Sequence, residues 1–113
     1  HPLSTMLTTI FAMGVASKAE RAAKRQVVAV MGEWQEPHGS GPITDERFLK
    51  GIEIAEQGSV KLWVEPARAH CPCCLLDLVD LRAALLKKRQ IPEVHIEVVG
   101  VPDTHRWNAA VNE

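Results

Sequence analysis

The most informative segment of the sequence is Val60-Lys-Leu-Trp-Val64-Glu-Pro-Ala-Arg-Ala-His70-Cys-Pro-Cys-Cys74. Its first five residues form a short, mostly apolar run, which predicts a strand buried in a sheet. A helix is expected to begin at Cys71, because Pro72 then takes the first helical position, where a missing N–H costs nothing. The stretch therefore predicts a strand, a connecting loop and a helix that opens with three cysteines.

Helices and strands are predicted to alternate on both sides of this stretch. In chain order we expect a leader helix over 4–25, a strand over 27–31, a helix between Thr44 and Gly58, the strand 60–64, the helix from Cys71 that ends before Pro92, a strand over 94–101 and a helix over 104–111. The order αβαβαβα is typical of parallel strands joined by crossover helices. The fold class predicted is α/β, a small layered sandwich with a mainly parallel sheet of three or more strands.

Size and composition predict one domain over residues 1–113, since 46% of the residues are hydrophobic and 24% are charged. The leader helix carries a broad apolar stripe between Met6 and Val15. We expect it to dock on the core or on a second subunit. A small sheet also leaves open edges, which self-association would cover. The sequence therefore favours a homo-oligomer, and a symmetric dimer in particular.

Charge and hydropathy argue against two classes of partner. A net charge of -1 gives no overall positive field for nucleic acid, and no apolar run reaches the length of a membrane span. Three cysteines within four residues do not fit the disulfide framework of a secreted domain. We therefore expect a cytoplasmic protein that binds neither nucleic acid nor a membrane.

The cysteine cluster is the main candidate for chemistry. Cys71 and Cys74 have the C-x-x-C spacing at the start of a predicted helix, where free backbone N–H groups and the helix dipole lower the pKa of a thiol. Such a pair can undergo thiol redox chemistry or can ligate a metal. A metal site needs a further ligand, for which His70 is nearest and His38 and His105 are alternatives. Thiolate and imidazole together favour zinc over harder cations.

The strand 60–64, the Cys71-Pro-Cys-Cys74 motif, the following helix and the strand 94–101 resemble the active-site half of thioredoxin-like proteins. That resemblance covers about residues 60–100 and implies that Cys71 is the attacking thiol and Cys74 the resolving thiol. Proteins of this fold continue into a hairpin that carries a cis-proline opposite the motif. The chain after Val101 is too short to build that hairpin.

The same segment also resembles zinc-dependent nucleobase deaminases, in which a helix with a His-x-Glu motif precedes the strand and a helix that opens with C-x-x-C. This resemblance implies that Glu46 is the general acid/base. Thr44 stands where the family has its zinc-binding histidine. The resemblance therefore indicates a degenerate deaminase-like domain, in which His38 or His70 replaces that ligand.

Two interpretations without chemistry at the cysteines stay open. Cysteine is often a small buried hydrophobe, so all three thiols can be packed at the start of a helix with His70 as a polar neighbour. In that case the chain is a non-catalytic, homo-oligomeric binding or accessory module. A bound metal or a thiol with a perturbed pKa distinguishes the two classes.

Overall fold

The structure, a computed structural model, describes residues 17–113. Within this part of the chain the elements are α1 (Lys18–Gly32), β1 (Leu49–Ile54), β2 (Val60–Val64), α2 (Pro72–Leu86), β3 (Val94–Val98) and α3 (Thr104–Val111). The predictions for β2, for the helix that opens at the cysteines, for the strand near the C-terminus and for α3 are confirmed. Most of the leader helix and all of its apolar stripe lie outside the described residues.

The sheet is mixed, so the prediction of a mainly parallel sheet in αβαβαβα order is wrong. Its strand order is β1-β2-β3, with an antiparallel pair β1–β2 and a parallel pair β2–β3. The antiparallel pair is a hairpin turned by residues 55–59, where the Ala55 N–H donates to the Ser59 carbonyl. Only β2 and β3 are joined by a crossover helix, which is α2.

Two wrong assignments upstream of β2 account for this error. The run Val27–Met31 is part of α1, which Ser17 caps by accepting a hydrogen bond from the Glu20 N–H. Its buried residues Ala23, Val27 and Met31 lie four apart, on one helical face. The segment assigned to a helix from Thr44 instead forms turns up to Phe48 and then β1.

The core lies between one face of the sheet and the helices. Buried side chains of β2 and β3 alternate with partly or fully exposed ones, and the register places the buried ones of both strands on the same face. The members of this face and of the helices above it are Val60, Leu62, Val64, Val94, Ile96, Val98, Ala23, Val27, Met31, Leu78, Leu81, Leu85 and Val111. The opposite face carries Lys61 and Trp63, where Lys61 Nζ lies 4.8 Å from the centre of the Trp63 ring. Residues 17–113 thus form two layers, the sheet and the helices on its buried face.

The outer edge of β3 is closed by side chains of α3. The Ile96 N–H donates to Asn112 Oδ1 at 2.8 Å, and the Asn112 amide donates back to the Ile96 carbonyl at 2.8 Å. The Val98 N–H donates to Asn108 Oδ1 at 2.6 Å. Two asparagines thus replace a neighbouring strand, and β1 is the sheet edge without such cover among residues 17–113.

Candidate metal centre

Three donor side chains meet where the loop after α1 crosses the start of α2. His38 lies in the loop 33–42, which an isolated bridge between Gln35 and Pro42 closes. Cys71 is the N-cap of α2, and Cys74 lies in its first turn. One ligand atom from each of the three residues lies within 4.8 Å of the other two. His38 Nε2 lies 3.3 Å from Cys71 Sγ, and His38 Nδ1 lies 3.8 Å from Cys74 Sγ.

A buried carboxylate holds His38 in place. Glu36 is 3% exposed, and its Oε1 lies 2.6 Å from His38 Nδ1. Its Oε2 accepts the backbone N–H groups of His38 at 2.8 Å and Ser40 at 3.1 Å. Burial raises the pKa of Glu36, but these hydrogen bonds outweigh burial and lower it overall. Because Nδ1 is engaged by the carboxylate, Nε2 is the ring nitrogen directed at Cys71.

The electrostatics of the centre favour a thiolate at Cys71. The backbone N–H of Cys74 is the largest cause that lowers the Cys71 pKa, and the hydrogen bond with His38 adds to it. The Cys71 pKa is lowered to about 7 although partial burial opposes the shift. The hydrogen bond to Glu36 raises the pKa of His38. A thiolate and an imidazolium therefore stabilise each other at this point.

The other two thiols differ from Cys71. Cys74 is buried, and burial raises its pKa. Cys73 is exposed, and its hydrogen bond with Cys71 raises its pKa. Cys73 is also absent from the group of mutually close donors. The chain therefore has one activated thiol, one buried neighbour and one exposed thiol beside them.

The predicted site residues are partly brought together. Cys71 and Cys74 are close, as the spacing predicts, but the histidine that joins them is His38 and not the adjacent His70. His70 is exposed and, with His105, lines a groove of about 620 Å³ that begins beside Cys71. Glu46, the acid/base implied by the deaminase resemblance, is exposed and is not part of the donor group.

Sequence reasoning missed Glu36 altogether. One weak signal marks it: an acidic residue two positions before a histidine, in a loop that glycine and proline keep short. Two of that loop's glycines, Gly39 and Gly41, have positive φ values of 75° and 126°. These conformations fold the loop back so that Glu36 reaches the amides of His38 and Ser40.

Comparison with known proteins supports the fold alone. No protein-family model matches the sequence, and no curated protein matches it. A solved structure, a domain of unknown function, DUF59, from Bacillus anthracis, is similar with a TM-score of 0.59 and 14% sequence identity, covering 77% of this chain and 85% of that chain. This likeness does not bear on the thioredoxin-like or deaminase resemblance, and both stay predictions.

No helix within residues 17–113 is long and apolar enough to cross a membrane.

Proposed function

We propose that this protein binds one thiolate-preferring metal ion, and that the ion is zinc. The observation that carries the proposal is the convergence of Cys71 Sγ, Cys74 Sγ and the His38 imidazole within 4.8 Å. Two thiolates and one imidazole form a donor set that suits zinc and disfavours hard cations such as Mg²⁺ or Ca²⁺.

The surroundings of the three donors support metal binding over simple packing. Thiols that are only packed need no charged group beside them. Here the Cys71 thiol contacts His38, and His38 is hydrogen-bonded to the buried Glu36 carboxylate. A carboxylate that accepts the second ring N–H of a ligating histidine is the usual support of zinc sites. When bound, zinc with three protein ligands holds a water or a substrate at its fourth position and acts there as a Lewis acid. The lowered Cys71 pKa makes the ligating form of that thiol available near neutral pH.

Zinc affinity measured by competition with a chromogenic chelator tests the proposal. Cys71→Ser and Cys74→Ser each remove a proposed ligand, so each is expected to weaken binding by more than the roughly 10–100-fold that loss of a supporting contact costs. Cys73→Ser is the matched control, because it changes the neighbouring thiol that stands outside the donor group. Equal affinity in all four proteins, or zinc binding lost only in Cys73→Ser, would contradict the proposal.

Thiol–disulfide exchange is a second candidate, favoured by the asymmetry of Cys71 and Cys74. The Cys71 thiolate attacks a substrate disulfide and releases one substrate thiolate; the Cys74 thiolate then displaces the second and leaves a Cys71–Cys74 disulfide. A reducing compartment such as the cytoplasm keeps both thiols free for either role. In metal-free protein, Cys74→Ser is expected to accumulate the mixed disulfide at Cys71 with a small aromatic disulfide. Absence of that adduct would exclude this candidate.

A further inference from the structure

The outer edge of β1 carries none of the three donors of the metal centre. Within residues 17–113, β1 pairs with β2 on one side only, whereas the free side of β3 is closed by Asn108 and Asn112. A six-residue strand without proline presents N–H and C=O groups along that edge, and no other strand of the described part of the chain pairs with them. From these features we propose that two copies of this chain pair through β1, antiparallel about a two-fold axis at Ile52, into one six-stranded sheet.

The hairpin register identifies the backbone groups that are free. The Ala55 N–H donates to the Ser59 carbonyl, and in an antiparallel pair bonded residues alternate with unbonded ones. Every second residue before Ala55 repeats its pattern, so Glu53 and Gly51 direct their backbone groups toward β2. Ile52 and Ile54 therefore direct theirs outward, where a second strand can pair with them.

Symmetry and charge exclude a register centred on Glu53. Opposite residues in a sheet share a face. When a two-fold axis perpendicular to the sheet relates the two strands, one residue of β1 must therefore lie directly opposite its own copy. An axis at Glu53 brings its carboxylate against the carboxylate of the second copy, which is destabilising. An axis at Ile52 avoids this contact, because Glu53 then faces Gly51 of the second copy. The Ile52-centred register also exchanges both backbone hydrogen bonds between the two copies of Ile52.

The exposure of Ile52 is consistent with burial in a dimer. Ile52 pairs in register with the fully buried Leu62 and points to the same face, yet it is 46% exposed. Pairing of the two edges covers both copies of Ile52, and it gives the apolar layer a continuation across the two-fold axis.

Sedimentation equilibrium on the full chain tests the proposal through a charge swap at Ile52. Native protein is expected to be a concentration-dependent dimer. Ile52→Lys and Ile52→Glu, each alone, are expected to be folded monomers by far-ultraviolet circular dichroism, because like charges face each other across the axis. An equimolar mixture of the two is expected to form a 1:1 heterodimer, since opposite charges then meet. Recovery in the mixture also shows that both variants fold.

Two further variants locate the interface. Leu76→Lys changes an exposed leucine of α2, 62% exposed, and is expected to leave the dimer intact. A chain without residues 1–15 is also expected to stay dimeric, because the interface lies in β1. A monomeric native protein, dimeric single variants at Ile52, or a mixture that stays monomeric would overturn the proposal. Loss of the dimer in Leu76→Lys or in the truncated chain would place the interface elsewhere and overturn it as well.

Discussion

The His38 imidazole connects a buried carboxylate to an activated thiol. Glu36 raises the His38 pKa, and His38 in turn helps to lower the Cys71 pKa. The first turn of α2 contributes more, through the backbone N–H of Cys74. Each residue in the order Glu36, His38, Cys71 thus shifts the pKa of the next, and Glu36 is the least exposed of the three.

The pH dependence of alkylation follows from these shifts. In chelator-treated protein the rate of Cys71 alkylation by iodoacetamide is expected to rise with a midpoint at about pH 7, since the thiol is protonated below its pKa and is a nucleophilic thiolate above it. Cys71→Ser is expected to remove this fast phase. His38→Gln is expected to move the midpoint upward. A midpoint at or above the roughly 8.5 of an ordinary thiol would contradict the electrostatic account.

Substitution of Glu36 tests its supporting role. Glu36→Gln keeps the shape of the side chain but removes the charge that fixes the His38 ring, so zinc affinity is expected to fall by about 10–100-fold. Glu33→Gln, an exposed carboxylate of the same loop, is the control and is expected to bind zinc as the native protein does. Native affinity in Glu36→Gln would show that the carboxylate does not support the metal.

At the scale of elements, the hairpin between β1 and β2 depends on a close backbone approach at Gly58. Gly58 has a φ of 101°, and a Cβ there would lie 2.7 Å from the Gln90 carbonyl oxygen. Because that atom is backbone, it cannot move aside without displacing the turn before β3. The approach thus fixes the hairpin against the turn that follows α2.

Gly58→Ala is therefore expected to lower the free energy of unfolding by more than the roughly 1–2 kcal/mol that a left-handed backbone conformation alone costs an L-residue. Gly39→Ala is the matched control, because Gly39 also has a positive φ but a Cβ there meets nothing within 4 Å. Urea unfolding of both variants measures the difference. Equal destabilisation would show that the approach to Gln90 does not constrain the hairpin.

The elements that could be predicted from sequence are those with local signals. Pro72 marks the start of α2, and the alternation in β2 and β3 matches their burial. The run Val27–Met31 is apolar on all sides, and over five residues such a run does not distinguish a strand from a buried helix. The helix-like spacing of Phe48 and Ile52 arises by coincidence, because Phe48 is buried just before β1 and Ile52 is exposed within it. Pairing with β2 decides that segment, and no local pattern shows it.

The donor group is only half visible in sequence for a similar reason. The spacing of Cys71 and Cys74 is local, and it correctly predicts two donors on one helical turn. His38 is 33 residues from Cys71, so only the tertiary fold brings it there. Nearness along the chain favoured His70, but that side chain is exposed and lies outside the donor group.

At the scale of the whole molecule, the metal centre and the free edge of β1 are two different surfaces. The loop that carries His38 and the first turn of α2 form the metal centre, and a bound ion there joins two segments that the chain connects only through the hairpin. The free edge of β1 provides the proposed contact between copies. Since the donors belong to one chain, each copy of a dimer holds a complete centre.

X-ray absorption at the zinc edge on the zinc-loaded protein identifies the ligand atoms of the proposed site. We expect about two sulfur ligands near 2.3 Å and an imidazole nitrogen near 2.0 Å. The imidazole signal is expected to disappear in His38→Ala and to persist in His70→Ala. A first shell without sulfur, or an imidazole signal that is lost in His70→Ala and kept in His38→Ala, would contradict the assignment of Cys71, Cys74 and His38 as the metal centre.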